Sequence, residues 1–228
     1  LFFHEPGSFV RQPLVVMPDG GWLLPMYMAS GDWLHNYPIV KITHNLGKSW
    51  RTCHFPDAIG LVQPNVILLP DHRYVAFFRS RNATWIYRSS SNDGCHWTAP
   101  HPTSLPNNDA SIQATLLRDN HIVIAFNNSP PVKVNGELRP GPRKPLTLAI
   151  SADGGKTWPW MRNIEDGRPA ATLPPEEDQP GLEAYSYPGV IQDPDGRIDV
   201  AFTYRRETIK FMRLPESWIL HGDAVNRT

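Results

Sequence analysis

The sequence predicts an all-β fold made of repeated antiparallel sheets, and two observations support this prediction. A turn of one design occurs three times, as Thr-His-Asn-Leu-Gly-Lys-Ser-Trp at residues 43–50, Ser-Ser-Asn-Asp-Gly-Cys-His-Trp at 90–97 and Ser-Ala-Asp-Gly-Gly-Lys-Thr-Trp at 151–158. The 228 residues also include 24 Pro, eight Trp and seven Tyr with few helix-forming runs, which is typical of β chains with many turns. One such turn could belong to any hairpin, but three in the same register indicate a repeat.

The residue types of the turn have physical reasons. A Ser or Thr ends one strand, and the side chain of Asn45, Asn92 or Asp153 is expected to accept backbone N–H groups inside the turn. A Gly then supplies a positive φ at low cost, and the Trp enters a packed layer on the following strand. We therefore predict a structural role for these three polar residues.

A longer repeat surrounds each turn and covers residues 9–52, 60–99, 110–160 and 184–220 approximately. The first three repeats begin at Gln12, Gln63 and Gln113, which are 51 and 50 residues apart, a length that suits a four-stranded blade of a β-propeller. The fourth begins at Tyr187, 74 residues later, and its Trp218 follows a decayed turn. In order, the strands are predicted at residues 14–17, 22–27 and 39–42, then 66–69, 74–78 and 85–88, then 116–117, 122–126 and 146–150, and last 190–191, 198–202 and 209–212.

Composition excludes several classes of partner. Lys and Arg number 22 and Asp and Glu number 22, so no basic field points to nucleic acid. No apolar stretch is long enough to span a membrane. The nine His show no metal-ligand spacing, so we expect no metal, and we expect no other cofactor. Cys53 and Cys95 lie in neighbouring repeats, where a disulfide is possible, but free thiols are the simpler expectation.

The repeated turn resembles the Asp box of sialidases and other glycan-handling β-propellers. The resemblance covers essentially the whole chain and implies one sialidase-like β-propeller domain over residues 1–228, of a divergent, non-viral branch. Sialidase propellers have six blades and four are visible here, so we expect either two further blades that precede them in a longer protein or another way of closing the arc. An open arc of sheets would otherwise leave long strand edges unpaired.

Three further segments resemble the sialidase active site. Phe78-Arg79-Ser80 is similar to the segment that carries the second arginine of the family's carboxylate-binding triad, and Arg143-Lys144-Pro145-Leu146 resembles the segment that carries the third. The segment Glu183-Ala184-Tyr185-Ser186 looks like the one whose tyrosine is the family's nucleophile. These residue types suit an acidic sugar, because guanidinium groups bind a carboxylate bidentately and a neutral phenol avoids the repulsion that a carboxylate nucleophile would meet.

Other positions depart from the sialidase pattern. Gln63 occupies the place of the glutamate that activates the tyrosine, and an amide cannot accept a proton at neutral pH. Glu183 is an alternative base. It is two residues from Tyr185, and residues two apart on a strand lie on the same face. Arg205 adds positive charge where the family has a carboxylate, so we place it among the substrate-binding residues with Arg79 and Arg143.

These residues lead to a hypothesis and two alternatives. We expect an exo-sialidase-like glycoside hydrolase acting on an acidic sugar, sialic acid or a uronic acid, with an acidic carbohydrate or glycoconjugate as partner and an extracellular or periplasmic location. The first alternative is a catalytically inactive propeller that binds a glycan or a protein. The second is a glycosidase or lyase that uses a different catalytic residue, for which His35 and His72 are candidates.

Overall fold

The computed structural model describes residues 5–167 and 184–222, and about half of these residues lie in β-strands. The strands form four antiparallel sheets and one separate two-stranded hairpin. The chain divides into two compact units, Leu1–Asn82 with Ile86–Thr103, and Ala83–Trp85 with Ser104–Thr228. The predicted all-β class is confirmed.

The first two sheets come from the N-terminal half of the chain. The first sheet has the order β1-β3-β4-β5, with β2 also paired to β3, and the second has the order β6-β7-β8-β9. A short 3-10 helix at Trp33–His35 precedes β4. The strands are β1 (Ser8–Phe9), β2 (Val15–Val16), β3 (Trp22–Met28), β4 (Tyr37–Thr43), β5 (Arg51–His54), β6 (Leu61–Leu68), β7 (Tyr74–Ser80), β8 (Trp85–Ser91) and β9 (His101–Pro106).

The remaining sheets belong to the second unit. The third sheet has the order β10-β11-β14-β15, the hairpin pairs β12 with β13, and the fourth sheet has the order β16-β17-β18. Among the residues described, one α-helix, α1, is present, and it follows the last strand. The elements are β10 (Gln113–Leu116), β11 (Ile122–Asn127), β12 (Val132–Val134), β13 (Glu137–Arg139), β14 (Leu146–Ser151), β15 (Trp160–Glu165), β16 (Tyr185–Gln192), β17 (Ile198–Tyr204), β18 (Thr208–Leu214) and α1 (Glu216–Leu220).

Every strand predicted from the sequence overlaps a strand of the structure, but the sequence did not predict all of them. The outer strands β5, β9 and β15 come after the turn tryptophans and have mostly polar sequences, so their apolar signal is weak. The hairpin β12–β13 lies between the predicted strands at residues 122–126 and 146–150, where the sequence predicted no strand. In the fourth repeat, α1 begins where a fourth turn would be, so the described part of that sheet has three strands.

The three repeated turns share a hydrogen-bonding scheme. In the third turn, Asp153 Oδ1 accepts the backbone N–H groups of Lys156 and Thr157, both at 2.9 Å, while Ser151 Oγ accepts the N–H of Gly155 at 2.8 Å. In the first turn, Asn45 Oδ1 accepts the N–H of Ser49 at 2.9 Å. A short polar side chain therefore replaces the missing backbone partners of each turn.

The second turn corrects one prediction. Its accepting side chain is Asp93, which bonds the backbone N–H groups of Cys95 and His96 at 2.9 and 2.8 Å, and not the predicted Asn92. The hydroxyl that bonds Asp93 is that of Ser91, at 3.0 Å. This turn is one residue shorter between its hydroxyl residue and its tryptophan than the other two. The hydroxyl residue and the accepting residue therefore each lie one position later than predicted, at Ser91 and Asp93.

The core of the first unit is apolar and contains a disulfide. The ring of Phe55 packs edge-on against Phe78, with centroids 4.9 Å apart, and lies 4.6 Å from the ring of Trp97. Cys53, next to this cluster, is bonded to Cys95, so the expectation of free thiols is wrong. The two cysteines are 42 residues apart in sequence but only 5.1 Å apart between Cα atoms, because β5 approaches the second repeated turn.

The core of the second unit lies between the apolar faces of its sheets. Leu148 and Ile150 on β14 pack with Val200 and Phe202 on β17, and all four side chains are buried. Burial of each such side chain contributes about 1.5–3 kcal/mol to the stability of the fold. Within the described residues, no helix has the length and apolar character needed to cross a membrane.

Candidate functional site

The predicted site residues are distributed over both units. Gln63 and Arg79 belong to the first unit, and Arg143, Tyr185 and Arg205 belong to the second. The sixth, Glu183, lies outside the described residues. Their roles stay predictions.

Gln63 lies at an irregular position of β6. The pairing of β6 with β7 shifts register between Val62 and Asn65, which is a β-bulge, and Gln63 in the bulge has a φ of 54°. The residue is only 6% exposed. Its Oε1 atom is buried and has no hydrogen-bond partner among the described residues. Gln63 therefore combines a left-handed backbone with an acceptor that the rest of the described chain does not satisfy.

Arg79 lies on the strand next to this bulge. It pairs directly with Val62, the residue before Gln63, and its side chain is buried. Its neighbour Phe78 packs into the core of the unit, so alternation along the strand directs Arg79 to the other face of the sheet. The structure thus places the backbones of Arg79 and Gln63 side by side in the first unit.

Tyr185 is the first residue of β16 and is part of the core of the second unit. Its side chain is 2% exposed, and its ring lies 5.6 Å from the ring of Tyr204 and 6.0 Å from that of Phe202. Its backbone N–H donates to the carbonyl of Arg143 at 2.9 Å. The predicted nucleophile is therefore adjacent to a predicted arginine through its backbone, while its ring packs among apolar side chains.

The guanidinium of Arg143 contacts the next two residues of β16. Its Nη1 donates to the buried Ser186 hydroxyl at 3.0 Å, and its Cζ lies 5.9 Å from the ring centroid of Tyr187. Tyr187 is 50% exposed, whereas Tyr185 is buried. The accessible phenol beside Arg143 is therefore that of Tyr187, a residue that sequence reasoning used only to mark the start of the repeat.

Two buried asparagines hold the segment that carries Arg143. Asn108 Nδ2 donates to the carbonyls of Gly141 and Pro142 at 3.1 and 2.6 Å. Asn127 Nδ2 donates to the carbonyl of Tyr185 at 3.2 Å and contacts that of Pro145 at 3.4 Å. These carboxamides fix the backbone on both sides of Arg143 and tie it to β16. Sequence reasoning missed them, because a polar residue at the end of a strand gives no signal of what it contacts.

Arg205 lies in the turn between β17 and β18. Its backbone N–H donates to the carbonyl of Ala184 at 3.0 Å, and its φ is 54°. Its side chain is mostly buried, and Nε lies 3.8 Å from Glu207 Oε1. The described part of the second unit thus brings the backbones of Arg143, Tyr185 and Arg205 together at one end of the fourth sheet.

The two candidate histidines belong to the first unit. His35 is an exposed member of the 3-10 helix, and its Nδ1 is 2.8 Å from Asp32 Oδ2. A backbone hydrogen bond from Leu34 and the hydrogen bond with His35 lower the pKa of Asp32. His72 lies in the turn after β6, at the end of that strand opposite to Gln63.

One cluster has the residue types of a metal site. Asp119, His121 and Glu216 have potential ligand atoms within 4.8 Å of one another. His121 Nδ1 lies 2.7 Å from Glu216 Oε1 and 3.0 Å from Asp119 Oδ2. Burial and the neighbouring carboxyl of Asp119 raise the pKa of Glu216, against the effect of His121. These contacts join the start of α1 to the turn before β11, and we assign the cluster a structural role.

Solved sialidase structures resemble this chain in fold. The Hadza microbial sialidase Hz136 aligns with 90% of the chain at 14% sequence identity and a TM-score of 0.69. The intramolecular trans-sialidase from Ruminococcus gnavus aligns with 90% at 15% identity and a TM-score of 0.66. The NanB sialidase from Streptococcus pneumoniae aligns with 90% at 16% identity and a TM-score of 0.67. The chain spans 37%, 42% and 30% of the lengths of these three proteins.

The family of the chain follows from its sequence. No curated protein matches it significantly. The family model described as "BNR repeat-like domain" matches residues 3–200. The chain therefore belongs to the BNR repeat-like domain family, and its sheets are blades of a sialidase-like β-propeller.

Proposed function

We propose that the protein is a sialidase-like glycoside hydrolase that acts on an acidic sugar, sialic acid or a uronic acid. The observation that carries this proposal is the position of Arg143, whose guanidinium is held by the Ser186 hydroxyl beside the exposed ring of Tyr187. A fixed guanidinium offers two parallel N–H donors to a carboxylate, which is the geometry that acidic sugars require. The structural likeness to sialidases supports the same substrate class.

The chemistry needs a nucleophile that tolerates the substrate's negative charge. A phenolic oxygen attacks the anomeric carbon, its proton passes to a base, and the glycosidic oxygen leaves after receiving a proton from an acid. Water then hydrolyses the glycosyl-tyrosine bond. In this scheme Arg143 binds the carboxylate, with Arg79 and Arg205 as further candidates, and Glu183 is the candidate base because Gln63 cannot accept a proton.

Two tyrosines compete for the role of nucleophile. Tyr185 has the position that the sialidase resemblance implies, but its ring is buried against Tyr204 and Phe202. Tyr187 is accessible and lies beside Arg143. Accessibility favours Tyr187, because an attacking phenol must reach the anomeric carbon of a bound sugar.

A panel of sialosides and uronic-acid oligosaccharides tests the proposal. Turnover by the full-length protein is measured by product analysis, together with the variants Arg143→Ala, Tyr185→Phe and Tyr187→Phe. We expect Arg143→Ala to lower kcat/KM by about tenfold to a hundredfold, which corresponds to the loss of a charge-assisted hydrogen-bonded pair. Of Tyr185→Phe and Tyr187→Phe, the variant that removes the nucleophilic hydroxyl should lose turnover, and the other variant should keep it. If no member of the panel is cleaved, the hydrolase proposal is wrong.

Gln63 favours a second candidate function. Because this residue replaces the base of the family, the protein is alternatively a glycan-binding propeller without catalysis. A glycan array would then show binding of acidic glycans that depends on Arg143, while the same glycans would be recovered intact after long incubation.

A further inference from the structure

The bulge at Gln63 leaves a buried acceptor in an unfavourable setting. β6 changes register between Val62 and Asn65, and Gln63 takes a left-handed φ of 54° immediately before Pro64. Its Oε1 atom is buried without a hydrogen-bond partner among the described residues. Both features cost folding free energy, because non-glycine residues avoid left-handed backbone and buried acceptors lose their hydration.

The same backbone feature occurs once more, at the candidate site of the second unit. β16 changes register between Ser186 and Gly189, and Tyr187 has a φ of 51° before Pro188. Tyr187 thus occupies the position in the fourth repeat that Gln63 occupies in the second. There the bulge places an accessible side chain next to the guanidinium of Arg143. The bulge therefore serves to present one side chain outside the regular alternation of the strand.

The third repeat provides a contrast. Its first residue, Gln113, lies in a regular pair with Ala125, and its Oε1 accepts the backbone N–H of Val190 at 3.2 Å. This glutamine has a structural partner and a regular backbone. Gln63 starts the second repeat in the same way, but its Oε1 has no partner among the described residues and its backbone lies in a bulge. The comparison separates a glutamine whose acceptor bonds the fold from one whose acceptor has no partner among the described residues.

We propose that Gln63 is a ligand-binding residue whose Oε1 accepts a hydrogen bond from a neutral donor of the bound sugar, a hydroxyl or an amide N–H. A carboxamide oxygen accepts a hydrogen bond from such a donor, whereas a carboxylate has no proton to give it, so Oε1 faces a part of the sugar that carries no charge. This inference rests on the proposed function for its ligand class. It assigns Gln63 a role in recognition and not in catalysis. A strained backbone and an unsatisfied buried acceptor are both characteristic of functional sites.

The experiment compares Gln63→Met with Gln113→Met and Arg143→Ala in the full-length protein. Titration calorimetry measures the affinity for free N-acetylneuraminic acid, glucuronic acid and their mono-deoxy and N-deacetylated analogues, and thermal unfolding measures stability. We expect Gln63→Met to weaken binding about tenfold, in line with one lost hydrogen bond, and to remove the preference for one donor group of the sugar. Its Tm should stay the same or rise, because the variant removes an unsatisfied acceptor. Gln113→Met should lower the Tm.

Each other outcome overturns a definite statement. If Gln63→Met lowers the Tm as Gln113→Met does, or binds every analogue like the parent protein, Gln63 is not a ligand-binding residue. If that happens while Arg143→Ala abolishes binding, the proposed function stands without this inference. If Gln63→Met weakens binding while Arg143→Ala does not, the inference stands and the arginine-based function is wrong. If the parent protein binds no sugar of the panel, both are wrong.

Discussion

At the scale of single residues, Asp153 shows how the repeated turn depends on ionisation. Burial raises the pKa of this carboxyl, but hydrogen bonds from the Thr157 hydroxyl and N–H, the Ser151 hydroxyl and the Lys156 N–H outweigh burial and lower the pKa to about 2. A carboxyl whose pKa is lower in the folded than in the unfolded chain stabilises the fold above the unfolded value, near 3.8. That contribution is lost as the pH falls through the folded value.

We therefore expect Asp153→Asn to reduce stability at neutral pH and to have a smaller effect in acid. The geometry tolerates an amide, since Asn45 fills this place in the first turn, so the loss should be about 1 kcal/mol at pH 7 because the group is exposed to solvent. Urea unfolding of variant and parent between pH 7 and pH 2 measures the difference. A difference that grows toward pH 2 would contradict the assignment.

The two tyrosines of β16 should differ in stability as they differ in burial. Tyr185→Ala removes a core ring and should cost about 3–5 kcal/mol, as for other large aromatic truncations. Tyr187→Ala removes a half-exposed ring and should cost about 0.5 kcal/mol. Denaturant unfolding of both variants measures this, with Tyr185→Phe as the control that keeps the ring. Equal losses would show that the bulge does not separate the two side chains.

At the scale of elements, Asn108 is expected to position Arg143. Asn108→Ala removes both hydrogen bonds to the carbonyls of Gly141 and Pro142, and we expect faster hydrogen exchange of the amides of Arg143 and Lys144 together with about tenfold weaker binding of an acidic sugar.

The matched control is Asn107→Ala. This buried neighbour donates to the carbonyl of Ala110 at 3.0 Å. Asn107→Ala should therefore reduce stability without changing exchange at Arg143. Identical exchange profiles for the two variants would assign both asparagines to general packing.

The disulfide is a second element-scale device that can be tested. Cys53 and Cys95 close a loop of 42 residues between β5 and the second repeated turn, so their replacement by Ser should lower the free energy of unfolding by about 2–4 kcal/mol. Thermal unfolding of the double Ser variant should coincide with that of the parent protein after reduction. A parent protein whose Tm does not respond to reductant would show that the bond carries no stability.

The elements also show which structure a sequence can predict. The turn at residues 151–158 is decided by a few adjacent side chains, so its chemistry can be predicted from local residue types. The disulfide could not be predicted, because it depends on how β5 approaches a turn in the next sheet. Tyr185 is the candidate by resemblance, and the bulge that sets it apart from Tyr187 depends on strand pairing. One unpaired residue reverses the alternation of faces along the strand.

At the scale of the whole molecule, the balance of charge limits how an acidic ligand is attracted. The chain has 22 Lys and Arg and 22 Asp and Glu, so no net field steers an anion toward it. Recognition must instead come from individual guanidinium groups at the site. At 0.1 M ionic strength, salt screens the interaction between exposed charges that are more than about 10 Å apart. It affects short, partly buried pairs much less.

We therefore expect the affinity for an acidic monosaccharide to fall by only about threefold between 0.05 and 0.5 M NaCl, while Arg143→Ala lowers it by about tenfold or more at either salt concentration. Titration calorimetry with glucuronic acid or N-acetylneuraminic acid at both concentrations provides the measurement. Arg118→Ala is the control, because its guanidinium is bonded to the backbone carbonyls of Asp193 and Pro194 outside the candidate site. A steep salt dependence, retained in Arg143→Ala, would mean that many surface charges rather than one fixed guanidinium attract the ligand.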